Sequence, residues 1–191
     1  MQRIIDYVKN KSVWLYLVLY LVFTYIFIGS LGFRVETNTN PIIGIMYFIE
    51  FGIHETSHII VSFLPPVLVA AAGSGGEILF TILVVGAALK SKAYFMAIFG
   101  SLWFMLACRS AGLYMSDARS QLLPLIGPGG EGSIHDWNFV FSQLGWLPQD
   151  HLIGGTVIVI GVIVGSLAMI AGFFIISIIA FGDKAEEASS K

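Results

Sequence analysis

Charge is scarce in this sequence of 191 residues, where Asp, Glu, Lys and Arg together make up 12%, about half their share in an ordinary soluble domain. So little polar surface cannot coat a globule in water, which excludes a soluble domain. Neither sign of charge dominates: ten basic and twelve acidic residues, scattered in ones and twos, leave a net charge of -2. No basic patch exists to hold nucleic acid, so that class of partner is excluded. Cysteine is nearly absent, and the lone Cys108 excludes an intrachain disulfide. No internal repeat is visible either.

What is present is long apolar runs. Hydrophobic residues reach 57%, the mean hydropathy is +0.85, and the solvent such a surface matches is lipid. The expected fold is all-α, a polytopic transmembrane bundle of about five spans near 13-33, 41-64, 67-89, 93-115 and 152-181. The first follows Arg3, Lys9 and Lys11 and is longer than the apolar region of a cleavable signal peptide. Pro41 suits the first turn of the second, which Pro65 and Pro66 end. Gly73, Ser74, Gly75 and Gly76 interrupt the third, which reads as a broken helix, a re-entrant segment or a site of close helix packing. The polar stretch from Ser116 to His151 carries Trp137, Val140, Phe141, Leu144 and Leu147 at helical spacing, the pattern of an amphipathic helix along the membrane interface. The tail, 182-191, is expected to be disordered.

If spans two, three and four alternate across the bilayer, the end of the second, the start of the third and the end of the fourth share one face. The loop from Ser116 to His151 joins them there. Counted from the Pro65 turn, His54 and Glu77 lie at similar depth. Arg3, Lys9 and Lys11 favour an internal N-terminus while Lys90 and Lys92 oppose it, and the functional face is expected in the cytoplasm.

The strongest chemical signal is His54-Glu55-Thr56-Ser57-His58, an HExxH motif inside an apolar helix. Two histidines at i and i+4 stand one turn apart on one face, so both imidazoles can converge on one ion. Glu55, about 100° round the helix, is poorly placed as a ligand but able to reach an activated water. Random placement of the four His and seven Glu predicts about 0.003 such motifs. The implied chemistry is zinc-assisted hydrolysis, with Glu55 moving the proton from water to the leaving amine. The competing reading is a polar cluster that joins helices by hydrogen bonds.

The intramembrane HETSH, a helix ending before a glycine-rich apolar segment, and a later aspartate resemble the site-2-protease-type zinc metallopeptidases. The resemblance covers mainly residues 41 to 120. It implies peptide hydrolysis within or beside the bilayer, zinc held by His54 and His58, and a later aspartate, best matched by Asp117, completing the site. The Asn-Pro-Asp-Gly setting of that family's aspartate is absent. Asp117-Ala118-Arg119 and His135-Asp136-Trp137-Asn138 also resemble small bacterial membrane proteins related to that family.

Other residues keep two readings each. His135 and Asp136 offer a ligand and its orienting carboxylate, or an N-terminal cap in which Ser133 begins the helix and Asp136 sits in its first turn. Glu50 and Glu77 are buried acids or helix-linking groups. Arg109 neutralises a carboxylate, stabilises an oxyanion or snorkels to the interface. His151 reads as an interface residue. The expected partners are membrane lipid and a membrane-anchored protein substrate, with assembly as a homo-oligomer or within a larger complex, in a bacterial or archaeal inner membrane. Hydrolysis of a lipid amide or ester, and a non-enzymatic structural subunit, are the alternative functions.

Overall fold

The computed structural model describes residues 12–123 and 134–189. Ser133, the stretch from Pro124 to Gly132 and the last two residues of the tail lie outside them. The described residues form helices α1 (Val13–Leu31), α2 (Pro41–Ile60), α3 (Pro66–Lys90), α4 (Tyr94–Ser116), α5 (Asp136–Leu144) and α6 (Asp150–Ser189), with no strand. Four stretches are long and apolar enough to cross a membrane: α1, α3, α4 and Leu147–Phe181. The protein is an all-α integral membrane bundle. Side chains such as Trp14, Leu83 and Phe173 are exposed on its outside, as a lipid-facing surface requires.

The fifth expected span, α2, falls out of the apolar class. It has the length for a crossing, about 30 Å, but carries Glu50, His54, Glu55 and His58 within three turns. Its direction also differs from simple alternation. Tyr16 meets Phe95, Phe23 meets Phe99, and the Phe33 carbonyl accepts from Arg109, so α1 runs with α4. His54 meets Glu77 and His58 meets Val69, so α2 runs against α3; α3 runs against α4, with Phe80 on Trp103 and Val85 beside Gly100. Consequently α1 and α2 point the same way, with the start of α2 beside the end of α1, where Ile43 packs on Gly29. The four apolar helices alternate in the order α1, α3, α4, α6, and α2 is an added helix on the way from α1 to α3.

Local chemistry explains the boundaries. Asn40 caps α2 by accepting from the amides of Ile42 and Ile43, ahead of Pro41 at the first helical position. The chain turns at Val61 to Leu64, and the paired prolines restart it as α3. α3 is continuous through Gly73 to Gly76, neither broken nor re-entrant; a glycine weakens a helix by only about 1 kcal/mol, and here the missing side chains admit α2. Glycines serve similarly between α4 and α6: a Cβ on Gly112 would stand 2.5 Å from the Gly154 carbonyl oxygen, and one on Gly161 2.6 Å from the Cys108 Cβ. The tail also departs from expectation, since α6 runs on to Ser189 through the good helix formers Lys184 to Ala188.

A candidate metal centre

One helical turn separates His54 from His58, and their rings lie 4.8 Å apart at 73°. Each Nδ1 is already committed. His58 Nδ1 lies 2.8 Å from the Val69 carbonyl, which can only accept, so that nitrogen donates. His54 Nδ1 lies 2.6 Å from Glu77 Oε1, and a carboxylate likewise accepts. Both Nε2 atoms face one oxygen, Asp136 Oδ2, at 3.2 Å from His54 and 3.4 Å from His58. The three donor atoms lie within 4.8 Å of one another.

Two imidazole nitrogens and a carboxylate oxygen converging in this way hold a positive charge among them, either a proton on an imidazole or a metal ion. A tetrahedral zinc with bonds of about 2.0 to 2.2 Å spaces its ligand atoms about 3.3 to 3.5 Å apart; the two nitrogen–oxygen distances lie close to that range, and the whole donor set, spread over up to 4.8 Å, would draw in around the ion. Two imidazoles and one carboxylate leave a position open, the pattern of catalytic rather than structural zinc. The contacts at Nδ1 are those of metal-binding histidines generally, one on a carboxylate and one on a backbone carbonyl. The residues present fit the ion.

Asp136 reaches the pair because α5 is pinned at its first turn. His135 caps it, its Nδ1 accepting from the Asn138 amide at 3.2 Å, which gives the cap to His135. The Asp136 amide donates to the Tyr114 hydroxyl at 3.0 Å, and that hydroxyl donates back to Asp136 Oδ2 at 3.4 Å. Asn138 Nδ2 donates to the Ala118 carbonyl and Trp137 Nε1 to Ser74 Oγ. The apolar face of α5 packs through Val140 and Phe141 onto Ala111, Met115 and Ala118, so its centre meets protein while Leu144 stays exposed.

Asp117 is used elsewhere. Its oxygens accept from the Ser120 hydroxyl and from the amides of Leu122 and Leu123, holding the chain as it leaves α4. Burial alone would raise its carboxyl, but those bonds outweigh burial and keep it below the ordinary carboxylate range. His135 Nε2 faces Asp117 Oδ2 at 3.5 Å, away from the His54–His58 pair. Burial pushes the His135 imidazole down, so it is neutral near pH 7. The structure therefore places Asp136, not Asp117 or His135, beside the histidine pair. Arg109 is also apart from it, its Nε donating to the Phe33 carbonyl at 2.9 Å. Arg119 pairs with Asp150, not Asp117, at 2.7 Å.

Glu77 stands at the depth counted from the Pro65 turn, 5% exposed. Glu50, one turn before His54, is buried with neither oxygen hydrogen-bonded among the described residues. Glu55 is half-buried and makes no hydrogen bond or ion pair with them. His151 is exposed. Tyr114 and the Val69 carbonyl carry no motif; the one sequence cue was the Pro65–Pro66 turn that sets α3 against α2. A Cβ on Gly73 would overlap the His54 imidazole, and one on Gly76 the Ser57 hydroxyl. Beside the cluster opens a cavity of about 430 Å³, with His58 and Asp136 in its wall and Pro66, Val69, Ala70 and Phe139 forming much of the rest.

Compared with known protein families, curated proteins and solved structures, the chain matches none.

Proposed function

We propose that this protein is a membrane-embedded zinc-dependent hydrolase that cleaves a peptide bond of a membrane-anchored protein, in the inner membrane of a bacterium or archaeon. The observation that carries the proposal is the convergence of His54 Nε2, His58 Nε2 and Asp136 Oδ2, with both Nδ1 atoms occupied behind them. Zinc bound there supplies a Lewis acid that polarises a scissile carbonyl and acidifies water. His54, His58 and Asp136 would hold the ion, while Glu77, the Val69 carbonyl and the Tyr114 hydroxyl keep these three side chains aimed. Glu55 adjoins His54 with a carboxylate that accepts no hydrogen bond from a described residue. It takes the proton of the attacking water and passes it to the leaving amine. The neighbouring cavity admits the substrate as far as His58 and Asp136. A helical substrate must unwind first, because helical amides are hydrogen-bonded to one another.

The test is metal content in detergent-purified protein after zinc reconstitution. Wild type and Asp117→Ala should each carry about one zinc per chain, and His54→Ala, His58→Ala and Asp136→Ala should lose it. Glu55→Gln should keep the zinc and lose hydrolysis. Absence of bound zinc in folded wild type refutes the proposal and leaves a structural membrane subunit joined through its polar cluster. Zinc lost from Asp117→Ala but kept in Asp136→Ala refutes the assignment of the third ligand.

A further inference from the structure

We infer that the cavity beside His58 and Asp136 receives one apolar side chain of the substrate peptide, next to the bond that is cut. The inference rests on the metal reading above and adds a substrate class to it. Continuity comes first: two of the three proposed ligands form one wall of the cavity, so whatever fills it lies beside the reacting bond. Size comes second. A cavity of about 430 Å³ has room for one large side chain and the backbone beside it.

The lining decides the chemistry. Apart from His58 and Asp136, the cavity has no charged residue, and Pro66, Val69, Ala70 and Phe139 give it apolar walls. Ser62 and Leu64, which also line it, have backbone carbonyls that accept no hydrogen bond among the described residues. Pro65 and Pro66 bring no N–H to meet them. A peptide segment carries a row of backbone N–H donors for such acceptors, which a hydrocarbon acyl chain does not. An apolar side chain in the walls and a peptide backbone at the carbonyls satisfy both features together.

The experiment uses full-length protein in detergent, loaded with cobalt, and dipeptide hydroxamates bearing a Gly, Leu or Trp side chain beside the chelating group. Affinity is read from the cobalt absorption spectrum, independently of turnover. Burial of a leucine side chain should make the Leu probe about 10- to 150-fold tighter than the Gly probe in wild type. In Ala70→Phe, whose ring fills the cavity, the ratio should collapse towards one. If that variant does not load cobalt, Phe139→Ala replaces it, and the enlarged cavity should raise Trp relative to Leu. Equal Leu and Gly affinities in wild type, or ratios unmoved by either substitution, overturn the inference while leaving the metal centre intact. An octanoyl hydroxamate that binds tighter than the Leu probe overturns it in favour of a lipid acyl chain. Failure of wild type to bind cobalt overturns the metal centre and the inference with it.

Discussion

Gly73→Ala is the smallest change that tests how the metal centre is assembled. A Cβ at position 73 would stand 2.5 Å from His54 Cε1 and 2.7 Å from Cδ2, with Nε2 also overlapped. Carbon atoms in contact prefer about 3.5 to 4.0 Å, so the ring must retreat by about 1 Å or α3 must move off by as much. The ring has no slack, because Nδ1 is held at 2.6 Å from Glu77. A 1 Å retreat takes the 3.2 Å separation of His54 Nε2 from Asp136 Oδ2 to about 4 Å, beyond the spacing a tetrahedral ion sets. Zinc affinity should therefore fall by about 10- to 100-fold, the scale of lost ligand positioning, and overpacking should destabilise the fold by about 1 to 3 kcal/mol. Gly75→Ala is the control in the same helix, since a Cβ there meets nothing within 4 Å and alanine favours helix by about 1 kcal/mol. Zinc competition against a chromogenic chelator, alongside thermal midpoints in detergent, reads both effects. A Gly73→Ala protein that binds zinc as tightly as Gly75→Ala would refute the reasoning.

Glu77→Gln should keep the fold but weaken zinc binding by about 10- to 100-fold, because an amide oxygen lacks the charge that holds His54 Nδ1–H; wild-type affinity would count against that role. Asp117→Asn should leave zinc content unchanged and destabilise by about 1 to 3 kcal/mol, from loss of the charge on an acceptor of two amides and a hydroxyl. Its pH dependence has a definite sign. The folded carboxyl lies below its ordinary value, so its contribution is complete above the unfolded value, about pH 3.9, and drains away as pH falls through the folded one. The wild-type thermal midpoint should thus fall more steeply than that of Asp117→Asn on going below about pH 4, and parallel curves would contradict it. Trp137→Phe removes the donor to Ser74 Oγ and should cost about 1 kcal/mol; an unchanged midpoint would show that this bond does not hold α5.

Features that depend on one helix were legible in the sequence. The apolar lengths of α1, α3, α4 and α6 mark a membrane bundle, and the i, i+4 histidines need only helical geometry to face one ion. Glu77 could be placed by counting residues from a proline turn, because α2 and α3 are adjacent and antiparallel. The candidate third ligand could not be read this way: Asp117 and Asp136 both follow α4, and spacing alone does not choose between them. Turn chemistry does, since the amides of Leu122 and Leu123 engage Asp117 while the Tyr114 hydroxyl and the His135 cap present Asp136. Gly73 was ambiguous for a related reason, as a glycine marks a break or a close approach with the same letter. The role of α2 was less legible: four other helices are long and apolar enough to cross, whereas the polar load of α2 sets it apart and its direction beside α1 shows only once the helices pack.

That added helix sets the His54–His58 pair at the end of the bundle away from the turn between α3 and α4. Because α1 runs with α4, the turn at Lys90 and Lys92 sits at the end of the bundle where α1 begins, beside the contact of Tyr16 with Phe95. Arg3, Lys9 and Lys11 directly precede α1 in the chain. Lys90 and Lys92 therefore stand at the end of the bundle away from His54, His58 and Asp136. The cavity beside that cluster opens at the opposite end of the bundle from the lysine turn.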